Sequence, residues 1–304
     1  MKAILICPAS RPAVPHLGEP GPLATTPILG GCVAGHWIEH LADMGARHIR
    51  VLAAGGGDRV LAAVGDGARW GVSVSVIESN FEPTLEEAAE RHRPQGEPGW
   101  LPAPYDIVLL SHLPSCPQLP LFESYASWFA ALAAWMPMAL TPARVRIKEV
   151  RPGVWVGSRA RVSPSAELIA PCWVGDQAVV EVGATVGGGA ILEDRSVVGA
   201  RARVTQSWVG PDTSVGPMTS VANSLAWGST LIDWRTDSTL RVPDPFLLCS
   251  LAKPRLAATT DRYGRALGTL GTPEAQGTLI AALGATLDRT QHLKLSGLRP
   301  DKVL

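Results

Sequence analysis

Apolar positions in the second half of the chain recur every six residues. Val156, Val162, Leu168, Val174, Val180, Val186, Leu192, Val198 and Val204 form an unbroken aliphatic ladder. The residue four places after each rung is small: Ala160, Ala166, Cys172, Ala178, Ala184, Ala190, Ser196 and Ala202. Glycine often follows the rung directly, as at Gly157, Gly175, Gly187 and Gly199. A lone strand has period two and a helix period 3.6, so neither explains a step of six. A coil with three short flat faces does. Each six-residue unit is a short strand and a corner, with the aliphatic residue pointing inward and the small residue fitting the turn. Three units close one coil, and coils stack at about 4.8 Å. After Val204 the ladder slips by one residue and resumes at Val209, Val215, Val221 and Trp227. Thirteen units then give just over four coils. A β-sandwich of alternating strands would not hold a six-residue phase over this length.

Residues 1–150 have a different pattern. Ala3–Cys7 is a short apolar strand, followed by a Pro/Gly-rich loop from Pro8 to Gly31. Val33–Met44 carries Val33, Trp37, Leu41 and Met44 on one helical face. His48–Ala53 is the next strand, and Gly55-Gly56-Gly57 leads into a helix over Asp58–Val64. Val72–Ile77 alternates as a strand. Thr84 and Glu87 form a capping box for a polar helix ending near Arg93. Tyr105–Ser111 is a strongly apolar strand and Phe122–Trp135 a helix. Strands alternating with helices predict an α/β unit with a largely parallel sheet.

Composition narrows the function classes. The 27 basic and 27 acidic residues balance, which gives no electrostatic case for nucleic acid. Five scattered cysteines, with no Cys/His cluster, predict no metal site and fit reduced thiols in a cytoplasm. Lys2 is followed by only five residues before Pro8, which is not a signal-peptide pattern. The longest apolar run, Trp128 to Leu140, has 13 residues and contains Pro137, so no transmembrane segment is expected.

Two resemblances follow from these patterns. The six-residue ladder resembles the left-handed parallel β-helix of the hexapeptide-repeat superfamily. The opening strand, the Pro27-Ile28-Leu29-Gly30 turn, the Ile38-Glu39-His40-Leu41 helix and the Gly65-Asp66-Gly67…Trp70-Gly71-Val72 segment resemble the nucleotidyltransferases that make NDP-sugars. The resemblance implies a Rossmann-like nucleotidyltransferase-type domain over 1–150, a β-helix over 151–235, and a capping segment with a C-terminal tail over 236–304. In that family a Gly-rich loop with Thr and Arg, a Pro-Lys turn and a strand-end Asp serve the triphosphate and Mg²⁺. Here the first loop reads Pro8-Ala9-Ser10-Arg11-Pro12, with no glycine, and Pro8 removes an amide donor. No lysine lies between Lys2 and Lys148. The later strand ends in Ser111-His112 rather than Gly-Asp, and neither side chain is a good Mg²⁺ ligand. The part that would hold the sugar is missing before the ladder begins.

The expectation is therefore a catalytically degenerate nucleotidyltransferase-like protein of sugar-nucleotide or polysaccharide metabolism, regulatory or scaffolding in role. Pro8, Ala9, Ser10, Arg11, Ser111 and His112 mark its vestigial nucleotide pocket, with no confident catalytic residue. Mg²⁺ enters only if the protein is active, with Arg11 then essential. Arg47, Arg59 and Arg69 are expected at the surface, His112 to be structural, and Gly55-Gly56-Gly57 to be a tight turn. The implied partners are further copies of the chain or an active relative, with a nucleotide or sugar nucleotide as ligand. A hexapeptide acyltransferase is disfavoured, because none of the seven histidines lies between Val154 and Trp234. In the tail, Pro243–Leu251 is apolar enough to cap the ladder, and Glu274–Thr290 carries a helical stripe of Leu279, Ile280, Leu283 and Leu287.

Overall fold

The computed structural model describes residues 1–94, 96–141 and 145–252; the stripe over 274–290 lies outside them. Met1–Ala252 forms one compact unit. Its first part runs β1 (Lys2–Cys7), α1 (Pro15–Gly18), β2 (Pro27–Ile28), β3 (Gly31–Cys32), α2 (Val33–Asp43), β4 (His48–Ala54), α3 (Gly57–Val64), β5 (Ser73–Ser79), α4 (Leu85–His92), β6 (Ile107–Leu109) and α5 (Tyr125–Trp135). Strands β5-β4-β1-β6 make an all-parallel sheet in that order. The predicted strand over 105–111 is shorter than its apolar run. The helix predicted from Phe122 starts at Tyr125, because Ser124 and Ser127 cap it reciprocally. The Thr84–Glu87 capping box forms as predicted.

Residues alternate between the two faces of β1. Ala3, Leu5 and Cys7 join the main core with α2 and α5, while Ile4 and Ile6 meet Leu52 and Ala88 in a small cluster beneath α4. Burial on both faces explains why β1 is a continuous apolar run. The loop predicted over Pro8–Gly31 contains α1 and a tight hairpin. At its tip, Leu29 and Gly30 both have positive φ, 47° and 75°. Two-residue hairpins favour that backbone, but it is costly for leucine.

The second part is a triangular prism of parallel strands. One face stacks Val154–Gly157, Cys172–Val174, Ala190–Leu192, Trp208–Val209 and Ser224–Trp227. A second stacks the strands beginning at Arg161, Val179, Val197 and Thr213, and a third those beginning at Glu167, Thr185, Arg203 and Ser220. The ladder valines and leucines fill the interior with Ala178, Ala184, Ala190 and Ala202. Corner residues Gln177, Arg195 and Asp212 adopt positive φ at matching places in successive coils. Gly175 is needed for coil spacing, since a Cβ there would lie 2.6 Å from the Asp194 amide nitrogen. The structure corrects one rung. Val209 pairs with Ala226, so Ala226 points inward and Trp227 does not. Leu248 closes the far end of the prism, on an antiparallel strand paired to Thr213–Val215, as the apolar 243–251 segment predicts.

The two parts share one core. Trp155, Trp173, Ile191, Trp208 and Leu225 lie one residue before the inward position of their coils, stack in register, and point out of the prism into the α/β core. Trp128 of α5 meets Trp208 edge to face at 5.0 Å, and Phe129 stacks on Trp234 at 5.0 Å. The apolar run around Trp128 is thus a core helix. Among the described residues, no helix is long and apolar enough to cross a membrane. Removing a fully buried tryptophan from this seam should be severe: Trp173→Ala is expected to cost about 3–5 kcal/mol. Val182→Ala, on an exposed corner, should stay within about 0.5 kcal/mol. Urea unfolding of both variants measures the difference.

Candidate functional site

Parallel pairing of β1 and β6 sends the loops bearing Pro8–Arg11 and Ser111–His112 from the same sheet edge. The Arg11 and His112 side chains are engaged elsewhere. Pro8 is buried and Ser10 exposed. Arg11 makes a bidentate pair with Glu82, Nη1 to Oε2 at 2.8 Å and Nη2 to Oε1 at 2.7 Å. The Ala9 N–H donates to the same carboxylate at 2.8 Å. Burial alone would raise the Glu82 carboxyl, but hydrogen bonds from Arg11 and Ala9 and the Arg11 charge outweigh it and hold it below the usual range. His112 turns away. Its ring packs edge to face on Trp37 at 5.2 Å, its carbonyl accepts the Trp37 indole N–H at 2.8 Å, and burial lowers its pKa. Its ring Nδ1 meets the Ser111 hydroxyl at 3.2 Å.

Other amide donors that could hold an anion are also taken by carboxylates of the chain. At the start of α3, the Gly57 N–H points to Glu78 at 3.4 Å, a long contact. At the β2–β3 hairpin, the Leu29 and Gly30 N–H groups donate to Glu193 at 2.6 and 3.0 Å. Glu193 leaves the prism just after Leu192 and also accepts the Trp208 indole N–H at 2.9 Å. These three bonds compensate the left-handed backbone at Leu29 and fix the hairpin to the prism. The Pro27–Gly30 turn therefore serves assembly. The other arginines, Arg47, Arg59 and Arg69, are exposed. Arg59 donates to the Pro20 carbonyl, and Arg69 donates to the Ala63 carbonyl and lies over the Trp70 ring at 3.7 Å.

The sheet edge bearing Pro8–Arg11 and Ser111–His112 does not fit a Mg²⁺ ion. Glu82, the carboxylate that reaches it, has both oxygens committed, and Ser111 and His112 supply no charge. The buried thiols are equally unsuited to chemistry: burial pushes Cys7 up to about 12 and Cys172 to about 11.

No family model matches the chain, and no curated protein does. Among solved structures, it is similar to the acetyltransferase domain of PglB from Neisseria gonorrhoeae FA1090 (17% identity, 60% of this chain and 97% of that one, TM-score 0.17). It is also similar to a point mutant of perosamine N-acetyltransferase from Caulobacter crescentus in complex with CoA and GDP-perosamine (16% identity, 60% and 94% coverage, TM-score 0.16). Both neighbours are acetyltransferases by name, and at such TM-scores the likeness carries no argument.

A second place in the molecule was not foreseen from sequence. A histidine does accompany the prism, but from outside the repeats. His16 of α1 lines a cavity against Trp208, Leu225, Trp227, Thr230 and Ile232. Its Nδ1 meets Glu19 Oε1 at 2.5 Å, and its backbone N–H donates to the Tyr125 hydroxyl at 3.1 Å. The absence of histidine between 154 and 234 thus does not leave the prism without an imidazole.

Glu193 generates a pH signature. Burial, helped by the nearby Asp194 charge, raises its carboxyl to about 7 against the pull of its Gly30, Trp208 and Leu29 donors. A carboxyl raised on folding adds stability that is full below the ordinary carboxylate range, near pH 4.3, and is lost as pH rises through about 7. The unfolding midpoint should fall between pH 5 and pH 8, and Glu193→Gln should flatten that slope while lowering stability at pH 5. A wild-type midpoint that rises steadily over this interval would refute the assignment.

Proposed function

We propose that the protein is a nucleotidyltransferase-like scaffold or regulatory subunit of sugar-nucleotide metabolism, built on residues 1–150 and a left-handed prism over 151–235. It does not turn over nucleotide. One observation carries this reading: Glu82 sits on the Arg11 guanidinium and the Ala9 amide, where phosphate oxygens would need to be. An incoming triphosphate would have to displace a carboxylate while gaining no unpaired cation. It would also meet that carboxylate's charge at close range, and like charges oppose each other most strongly where water is excluded. Nucleotidyl transfer needs donors aimed at developing phosphate charge, and here they are already saturated. The shared tryptophan core supports architecture as the product of selection.

A pyrophosphate-release assay with Mg²⁺ over a panel of nucleoside triphosphates and sugar 1-phosphates tests the reading. No turnover above background is expected. Robust Mg²⁺-dependent release, lost on Arg11→Ala, would establish an active enzyme with atypical residues instead.

Acyl transfer is a second reading, favoured by the His16–Glu19 pair at the prism face. An imidazole held by a carboxylate is suited to remove a proton from an attacking amine. It predicts acetyl transfer from acetyl-CoA to an amino sugar, abolished by His16→Ala.

A further inference from the structure

We propose that the cavity between α1 and the tryptophan face of the prism binds one neutral, polyhydroxylated six-membered ring of pyranose size. The proposal is independent of the scaffold reading and shares its site with the acyl-transfer reading, but it concerns binding alone, so a ligand that binds without being acetylated leaves it standing while ruling out acyl transfer.

The cavity has two chemically distinct halves. Leu17, Trp208, Leu225 and Ile232 are almost fully buried and form its floor. His16, Glu19, Trp227 and Thr230, all partly or fully exposed, form its mouth. The volume is about 110 Å³. An apolar cavity of about 150 Å³ encloses benzene, so this smaller space takes one face of a ring against its floor and leaves the ring's substituents at the mouth.

The walls decide which ring. Among the described residues no lysine or arginine lines the cavity, and Glu19 brings negative charge to its rim, so anionic groups are disfavoured. The mouth is rich in acceptors. One Glu19 oxygen is held by His16 Nδ1, which leaves the other oxygen, the His16 Nε2 and the Thr230 hydroxyl for a ligand. A purely apolar ring would bury part of these groups without partners, at a cost. A pyranose offers hydroxyls to the rim and a C–H face to indole and aliphatic floor. Pockets that combine an apolar lining with a few fixed polar groups are the general form of small-molecule sites.

The site is also pre-formed. Trp208 is fixed by its bond to Glu193 and its edge-to-face contact with Trp128, and it meets Trp227 edge to face at 5.4 Å. The Tyr125 hydroxyl accepts the His16 N–H and its ring lies nearly parallel to the imidazole. Little ordering remains to be done on binding.

Saturation-transfer NMR on the full chain with methyl glucopyranoside is the test, with cyclohexanol and propionate as competing probes. A ligand of this size should bind in the millimolar range. Saturation should reach the ring C–H protons, fall about tenfold or more in Trp227→Ala, and fall about fivefold in Glu19→Gln. Glu19 is exposed, so its variant reports binding even if Trp227→Ala does not fold. The proposal is overturned if the pyranoside receives no saturation, if it is retained in full in both variants, or if cyclohexanol or propionate binds more tightly.

Discussion

One face of outward side chains, a single residue out of phase with the inward ladder, determines how this molecule is assembled. Each coil offers one large apolar residue to the same seam: Trp155, Trp173, Ile191, Trp208 and Leu225. Because the strands stack in register, these residues form a continuous ridge, and α5 must lie along it to cover Trp208 with Trp128. Glu193 then fixes the β2–β3 hairpin onto the ridge through two backbone amides and the Trp208 indole. The positions of α1, the hairpin and α5 all follow from that ridge. Large aromatic residues are suited to it, since they combine much buried area with a polar N–H that can select a partner.

The same chemistry recurs across the α/β part, where backbone amides that an anion could occupy are met by glutamates of the chain. Glu82 takes Ala9 and Arg11, Glu193 takes Leu29 and Gly30, and Glu78 approaches Gly57. Each arrangement satisfies donors that would otherwise be left unpaired. For Leu29–Gly30 and Ala9–Arg11 the outcome is a loop made rigid without a ligand. The sheet edge bearing Ala9 and Arg11 is thus closed by the chain's own carboxylate, while the cavity lined by His16 and Glu19 lies at the seam with the prism.

The inward ladder was legible because its period is local: every rung sits six residues from the last. The seam was equally periodic but recurs once per coil, every seventeen or eighteen residues, so a six-residue window hides it. Reading the residue before each rung would have shown Trp155, Trp173 and Trp208 on one face. Trp227 was misplaced because the six-residue step was carried on from Val221, whereas the coil is one residue shorter there and pairing with Val209 belongs to Ala226. That the loop over Pro8–Pro12 carries Arg11 but no glycine or lysine was legible directly. Its closure was not, because Glu82 is 71 residues from Arg11 and nothing local links them. Likewise His16 reaches the prism only through the fold, held by Tyr125 from a helix 109 residues away.

On the proposed reading, Glu82 occupies the place that phosphate would otherwise take on Arg11 and the Ala9 amide. Calorimetric titration of inorganic pyrophosphate, with Mg²⁺, into the wild type and Glu82→Ala tests it most directly. No measurable binding to the wild type is expected, with saturable binding in the variant that freed Arg11 and the Ala9 amide make possible. Tight binding to the wild type, unchanged or weakened by Glu82→Ala, would contradict it.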